Sequence, residues 1–345
     1  MAKPITIVGG GLAGLALGIG LRRQGVPVTI YEAGHYPRHR VCGEFVSGRG
    51  QQFLERLGLG QLLAAAGAVP ARTVAFFSTN QASPVRSLPF PALCLSRWQM
   101  DARLAEAFRS LGGELHEGRR ANASAAGEGW VRANGRRLAS DSAEPRWFGL
   151  KIHARNVPLG ADLEMHVSSR GYVGLCRVEH GEVNVCGLFR RDPADASAPT
   201  AGRQLLLGLP GSLLQQRLSG AEFDEASFCA VAGLSLAPVR AAVRPEVCVG
   251  DALTMIPPVT GNGMSMSFES AEIALGPLAE WSRGAGTWLE AQCAIARQCD
   301  QRFARRLFWA RQVQTLILSV PLQNSLVALA RWQPWLWRLA FAGTR

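Results

Sequence analysis

The sequence predicts an α/β fold, an α+β composite in which a parallel sheet with covering helices joins a separate antiparallel sheet and a C-terminal helical segment. The run Ile5–Val8 is β-branched throughout, which is typical of a strand buried on both faces of a parallel sheet. From Trp147 to Phe189, polar and apolar residues instead alternate in successive short runs, which indicates antiparallel strands. The two patterns predict two layers or domains.

Three glycines follow the first strand and open the next helix. Gly9, Gly11 and Gly14 have the spacing G-x-G-x-x-G, in which the first makes a tight turn, the second admits a pyrophosphate and the third lets the helix pack closely. The second strand, Val28–Tyr31, ends at Glu32, whose carboxylate can accept both hydroxyls of an adenosine ribose. The segment therefore predicts a dinucleotide site. Its predicted contacts are Gly9, Gly11, Leu12, Ala13, Gly14 and Glu32.

A loop rich in glycine and arginine, residues 34–50, follows the ribose-binding strand. In a dinucleotide fold such a loop leaves the carboxyl edge of the sheet, where the ligand lies. Arg38 and Arg40 can neutralise phosphate there or serve as solvated loop charge, and both interpretations stay open. Ser96 has the residue type of a helix N-cap and is predicted to begin a helix over residues 97–111.

A second glycine turn lies far along the chain. The apolar run Val247–Val249 ends in Gly250-Asp251, where backbone and carboxylate can lie against a polyol chain. After Pro258, Gly261 and Gly263 leave bare N–H groups at the start of a long helix, and such a helix N-terminus can hold an anion. For a flavin, that anion is the reduced ring. The other interpretation is a plain glycine-rich turn entering a core helix.

Composition limits the partners and the compartment. The formal charge is +11, and all but two of the 37 strong bases are arginine. Because the arginines are scattered, an anionic cofactor, an acidic substrate or an anionic membrane surface is favoured over nucleic acid. The eight cysteines show no C-x-x-C and no zinc-finger spacing. We therefore expect a reduced, cytoplasmic protein without a structural metal.

Three separated segments resemble one superfamily, the single-Rossmann FAD proteins that include aromatic-ring hydroxylases of the p-hydroxybenzoate hydroxylase type and geranylgeranyl reductases. The first glycine turn with Glu32 resembles their ADP-binding start. Arg97–Leu104 is similar to their R-x-x-(L/M)-D-x-x-L helix, whose arginine lies near the ribityl phosphate. The segment 250–263 resembles the G-D…P-x-x-G-x-G segment that lines the ribityl and pyrimidine side.

The loop Arg40–Glu44 looks most like the C-G-G or C-G-E loop of the reductase-like branch, where the cysteine lies close to the isoalloxazine. The hydroxylases carry a D-G motif that serves FAD and NAD(P)H, and its place here, Ala139–Ser142, has no glycine. The resemblance implies further FAD contacts. They are Arg40, Cys42, Gly43, Arg97, Gly250, Asp251, Pro258, Gly261, Asn262, Gly263 and Met264.

The resemblance implies an FAD-binding Rossmann-like domain with an inserted antiparallel β-sheet substrate domain. We expect the FAD-binding domain to be discontinuous and the last segment to be helical. The predicted ranges are 1–68, 96–146 and 240–285 for the FAD-binding domain, 69–95 and 147–239 for the β-sheet domain, and 286–345 for the C-terminal segment.

The implied activity is that of an FAD-dependent oxidoreductase with NAD(P)H as the external reductant. A monooxygenase is favoured, which would hydroxylate or epoxidise a small lipophilic or aromatic molecule through a flavin C4a-hydroperoxide. A reductase of isolated alkenes and a flavin-binding protein without turnover are the alternatives. No acid–base pair stands out, and Cys42 and Glu44 are the nearest polar candidates on the flavin loop.

The C-terminal residues 331–345 carry three tryptophans among arginines. Such a segment predicts a short amphipathic helix with two possible roles, peripheral contact with a membrane interface or closure of the substrate cavity. The preceding apolar stretch, 313–330, is broken by Pro321 and is too short to span a bilayer.

Overall fold

A computed structural model describes residues 1–121, 127–135, 147–190 and 202–319. Its first sheet has five parallel strands, with the glycine-rich start of the chain in the middle. Their order is β13 (Val247–Cys248), β7 (Trp130–Arg132), β1 (Ile5–Val8), β2 (Val28–Tyr31) and β6 (Glu114–His116). The register pairs Ile5 with Val28 and Val8 with Tyr31, so both central strands end at the same edge. The predicted parallel sheet is confirmed.

Helices cover this sheet and build the main core. Helix α1 (Leu12–Arg23) is buried along almost its whole length and packs between α4 (Arg97–Ser110) and α7 (Gly263–Ser282). Ser96 caps α4 as predicted, since its hydroxyl accepts from the backbone N–H of Gln99 at 3.1 Å. Two shorter helices, α2 (Arg49–Arg56) and α3 (Gly60–Ala65), follow the loop after β2.

The second sheet has eight strands and is mixed. Their order is β12 (Glu222–Leu234), β8 (Trp147–Arg155), β11 (Val183–Arg190), β10 (Gly171–Arg177), β9 (Leu163–Ser168), β4 (Val69–Phe77), β5 (Arg86–Cys94) and β3 (Phe45–Val46). The predicted antiparallel sheet is present, with one pair that departs from it, because β4 and β9 run parallel. These two strands come from distant parts of the chain, so no hairpin forces them to be antiparallel.

The two faces of the second sheet meet different partners. Leu150 and Ile152 of β8 face the side covered by α5 (Gly202–Leu206) and α6 (Leu213–Leu218). Lys151 and His153 point to the opposite face, because side chains alternate along a strand. On that face a Cβ added to Gly149 would lie 2.7 Å from Val41, so the loop after β2 packs directly against it.

The C-terminal segment begins with a long helix, α8 (Trp288–Ile317). Its last turns bring Val313 and Ile317 against the second sheet beside Val259. The predicted amphipathic stretch 331–345 and the place of the D-G motif, Ala139–Ser142, lie outside the described residues. No helix among the described residues combines the length and apolarity that a membrane span needs. The predicted domain boundaries stay a prediction.

The close approach of α1 to β1 generates the first prediction. A Cβ at Gly14 would lie 2.0 Å from the carbonyl oxygen of Gly9, so Gly14→Ala must push the helix away from the strand. We expect a loss of about 1 to 3 kcal/mol in the free energy of unfolding, measured by urea denaturation. The control is Gly60→Ala, where the nearest atom is 3.9 Å away. Equal stability of Gly14→Ala and wild type would contradict this packing.

Candidate functional site

The first glycine turn leaves the N-terminus of α1 bare. Gly9 has φ +114°, and a Cβ there would lie 2.4 Å from the carbonyl oxygen of Ala133, so only glycine fits. Gly11, by contrast, has extended backbone, and a Cβ there would meet nothing within 4 Å. The space beside Gly11, at the N-terminus of α1 just before Leu12 and Ala13, is therefore open. This is the geometry that a pyrophosphate requires.

Glu32 lies at the end of β2 and is buried among hydrogen-bond donors. Its carboxylate accepts from the backbone N–H of Gly10 at 2.9 Å and of Gly34 at 2.8 Å. Arg38 lies 2.6 Å and Arg40 3.6 Å from its oxygens. The acid is thus held in place at the turn, and ribose hydroxyls would compete with the two guanidinium groups for it.

Tyr36 is a feature of this turn that the sequence analysis missed. Its hydroxyl donates to the carbonyl oxygen of Gly10 in a short contact, and a Cβ at Gly10 would collide with it. Burial, together with the charges of Glu32 and Asp101, raises the pKa of Tyr36 well above its ordinary value. The phenol therefore stays protonated, and its hydrogen bond to Gly10 supports the glycine turn. No spacing rule flags a tyrosine in such a loop.

The second glycine turn meets the first. Gly250 has φ +64°, and a Cβ there would lie 2.9 Å from the Cβ of Ala13 in α1. Its N–H donates to the hydroxyl of Ser270 at 2.8 Å, which ties the turn to α7. Gly263 is the first residue of α7, and a Cβ added to it would meet nothing within 4 Å, so it borders open space like Gly11. Two distant segments thus converge on one region.

The predicted second-turn residues follow one another into α7. Asp251 lies in a short 3-10 turn, and Pro258 begins another that ends at Gly261 in left-handed conformation. Asn262 is the N-cap of α7, followed by Gly263 and Met264. Their contacts with a cofactor stay a prediction.

The loop after β2 is fastened to the second turn. The ring of Phe45 fills the space beside Gly261, where a Cβ would lie 2.3 Å from it. The hydroxyl of Ser265 in α7 donates to the carbonyl oxygen of Ser47 at 2.7 Å and accepts from its N–H at 3.2 Å. These contacts hold the loop and the start of α7 together.

Cys42 and Gly43 sit against the second sheet. Asn184 donates to the carbonyl oxygen of Cys42 at 2.9 Å, and the Cys176 thiol donates to that of Gly43 at 3.2 Å. Burial raises the pKa of the Cys42 thiol even though Arg97 lies close to it. The thiol is therefore neutral, which argues against a nucleophilic role.

Arg97 at the start of α4 is held in a buried ion pair. Its guanidinium donates two hydrogen bonds of 2.7 Å to Asp101, and Arg40 lies 3.5 Å from the same carboxylate. Burial alone would lower the pKa of Arg97, but the charge of Asp101 raises it, so the cation is permanent. Arg40 bridges Asp101 and Glu32. Arg40 and Arg97 are therefore linked through these carboxylates to the first glycine turn.

A buried charged cluster lies beneath the cysteine loop. Glu44, in left-handed conformation with φ 57°, accepts from the N–H of Arg97 at 2.9 Å. His153 lies 2.6 Å and Lys151 3.4 Å from its carboxylate oxygens. The sequence analysis named Glu44 but placed no partner beside it. Lys151 and His153, two residues apart on one alternating strand, were the signal that a polar site occupied that face.

The residues present fit FAD. Two helix N-termini with open glycines can take its pyrophosphate and the anionic side of its ring, and Glu32 stands where the ribose would lie. Among the described residues, no group of three or more histidine, cysteine or acidic side chains could hold a metal.

Comparisons with known proteins agree with this geometry. Residues 2–155 match the model of a family described as an FAD binding domain. Similar solved structures include PqsL, a probable FAD-dependent monooxygenase from Pseudomonas aeruginosa, at 15% identity and a TM-score of 0.68 over 99% of both chains. The flavin-dependent brominase Bmp2 matches at 15% identity and 0.70, over 95% of this chain and 93% of that one. The myxobacterial chondrochloren halogenase CndH matches at 16% and 0.71, over 88% and 80%.

No curated protein shows significant sequence similarity to this one. The structural likeness, at these low identities, shows the fold. Together with the family match, it defines the class of protein as a flavoenzyme built on a single FAD-binding domain. Residues 2–155 match an FAD binding domain, and with the fold this match supports an FAD-dependent oxidoreductase that binds FAD.

The open space beside the first turn generates the second prediction. Gly11→Val is introduced on extended backbone, where an added Cβ meets no protein atom within 4 Å. It fills the space proposed for the pyrophosphate, so we expect the dissociation constant for FAD to rise at least about tenfold, measured by flavin fluorescence. The control is Gly220→Ala, which also meets no atom within 4 Å. Unchanged FAD affinity of Gly11→Val would contradict the site.

The charged cluster generates the third prediction. Glu44→Ala leaves Lys151 and His153 without their carboxylate, and we expect a loss of about 3 to 5 kcal/mol in unfolding free energy. Glu272→Ala removes an acid that pairs with the exposed Arg56, and it should cost less than about 1 kcal/mol.

The pH dependence gives a second measurement. Burial alone would raise the pKa of Glu44, but the hydrogen bond from His153 and the charge of Lys151 hold it below the ordinary 4.5. Its contribution is therefore present above about pH 4.5 and is lost as the pH falls through the lower folded value. In Glu44→Gln this acid-induced loss should shrink. An unchanged acid limb would show that Glu44 carries no such linkage.

Proposed function

We propose that this flavoenzyme is a monooxygenase of a small lipophilic or aromatic molecule, with NAD(P)H as the external reductant. The observation that carries the proposal is the packed apolar cluster between the second sheet and the second glycine turn, which would form an apolar wall of the adjoining flavin site. Val259, from that turn, packs with Tyr172, Leu188 and Leu234 of the sheet, and Trp147 and Met165 border them. An apolar wall beside the redox ring suits an apolar substrate.

The chain's own residues would divide the work. Bound FAD supplies two-electron redox chemistry and reactivity toward oxygen. The first glycine turn, Glu32 and the neighbouring arginines bind its ADP part, and the second turn orients the ring. The apolar wall excludes water from the reacting region, which an oxygen-transfer reaction needs.

A reductase of isolated alkenes is the second candidate. The observation that favours it is the Cys42-Gly43-Glu44 loop, which lies against the sheet on the same side as the apolar wall. The similarity to a brominase and a halogenase adds halogenation as a third possible outcome of the same assay, since those proteins share the fold.

The fourth prediction separates these reactions. Purified protein loaded with FAD should oxidise NADH or NADPH and consume oxygen in a substrate-dependent manner with a panel of phenols, quinolones and terpenoids. Labelled oxygen should appear in the product, measured by mass spectrometry. Saturation of an alkene under anaerobic conditions without oxygen incorporation would overturn the monooxygenase. A halogenated product that requires added bromide or chloride would also overturn it.

A further inference from the structure

The charged cluster beneath the cysteine loop continues in both directions as a chain of titratable groups. On one side, the Nδ1 of His153 lies 3.3 Å from the carboxylate of Glu182, which is 18% exposed. On the other side, the Nζ of Lys151 lies 3.0 Å from the Nδ1 of His39. Glu182, His153, Glu44, Lys151 and His39 thus follow one another with gaps of 2.6 to 3.4 Å.

The interior of this chain is shielded from solvent. The side chains of Glu44 and Lys151 are fully buried, and that of His153 is 2% exposed. Burying three ionisable groups is costly, and a buried ion pair is often no more stabilising than apolar residues of the same volume. Such a buried cluster of ionisable groups is a candidate for function rather than for stability alone.

The buried cation of this chain of groups is a lysine, a residue type that is rare in the sequence. Of 37 strong bases in the sequence, only Lys3 and Lys151 are lysines. An arginine never releases its proton in a protein, whereas a lysine can. Lysine occupies the one position in this chain of groups where a cation must both accept and donate a proton.

The other end of the chain, the half-buried His39, lies on the loop that carries Cys42. His39 stacks on Trp98 with ring centroids 4.6 Å apart and meets the ring of His153 edge-on. Burial, with the nearby charges of Lys151 and His153, lowers the pKa of His39 to about 4. At neutral pH the imidazole is therefore uncharged, and its Nδ1 lies within hydrogen-bond distance of the Lys151 ammonium.

We propose that these five groups form a proton relay from the protein surface to the flavin site. A proton enters at Glu182 and passes through His153, Glu44 and Lys151 to His39, which releases it at the cysteine loop. The relay rests on the proposed function, because oxygenation consumes one proton per turnover: substrate, O₂, NAD(P)H and H⁺ yield oxygenated product, water and NAD(P)⁺.

Other ionisable groups face the relay and belong in its pH behaviour. Asp224 of β12 pairs with His153 across the sheet and acts on His39. Arg155 forms an ion pair with Glu182, and the backbone N–H of Arg97 donates to the carboxylate of Glu44. The thiols of Cys42, Cys186 and Cys229 surround Lys151 and Glu44, and burial raises the pKa of each of them.

The test uses reoxidation of dithionite-reduced holoprotein by oxygen, which requires no substrate. In that reaction FADH⁻, O₂ and H⁺ yield FAD and H₂O₂, so one proton is still needed. Lys151→Arg keeps the charge but cannot pass a proton. We expect reoxidation to slow by about tenfold to a hundredfold at mildly alkaline pH. The reoxidation rate of this variant should then fall with rising pH, because hydronium from the solvent would have to supply the proton instead of the relay. The solvent isotope effect on this rate should increase.

Lys3→Arg is the matched control, because it makes the same replacement at the exposed lysine beside Trp281. It should reoxidise like wild type. A Lys151→Arg protein with wild-type rates and an unchanged pH profile would overturn the relay. If Lys151→Arg slows flavin reoxidation while the wild-type protein oxygenates no substrate, the relay is supported and the monooxygenase is rejected. Failure of the relay and failure of the proposed function therefore give different results.

A second readout needs no flavin. Nitrogen NMR of the six histidines in the apoprotein should give His39 a pKa near 4. Lys151→Met removes a neighbouring charge and should raise this pKa, whereas Lys151→Arg should leave it low. An unaltered His39 titration in Lys151→Met would show that the two groups are not coupled and would break the relay at that link.

Discussion

The structure depends on the contact between Ala13 and Gly250. No side chain fits at residue 250, because a Cβ there would lie 2.9 Å from that of Ala13 and the backbone is left-handed. This approach seats the end of β13 directly on the first turn of α1. The starts of α1 and α7 are thereby brought to one region, where we propose that one meets the phosphates of the cofactor and the other, at Gly263, its redox ring. Under this proposal the two partial positive charges can act on one cofactor because these backbones touch.

Much of this arrangement is encoded locally and could be predicted. Gly9 has a left-handed backbone, Gly14 is dictated by a clash with Gly9 five residues earlier, and Ser96 caps its own helix. What could not be predicted depends on long-range pairing. The parallel pairing of β4 with β9 joins two segments whose hydrophobic patterns do not indicate whether the strands run parallel or antiparallel. Glu44 meets His153 from 109 positions away, so neither residue by itself indicated a cluster.

One face of the second sheet carries an apolar region at one end and a charged region at the other. At one end, Tyr172, Leu188 and Leu234 form the apolar wall next to Val259. At the other end, Lys151 and His153 carry charge to Glu44. Strand register makes this division possible, because alternate residues of β8 and β11 share the face while their neighbours pack on α5 and α6. The apolar end can exclude water while the charged end stays connected to it.

The positive charge of the chain has a local counterpart at the first turn. In the ion pairs of the described residues, Arg38, Arg40 and Arg97 share two carboxylates, Glu32 and Asp101. Three cations against two anions leave one positive charge beside the open N-terminus of α1. A dinucleotide pyrophosphate brings two negative charges, so binding neutralises the excess and adds to the attraction of the helix dipole. Because the guanidinium groups are already paired and positioned, little side-chain ordering is left for the cofactor to impose. The arginines therefore contribute to the dinucleotide site through preorganisation as much as through charge.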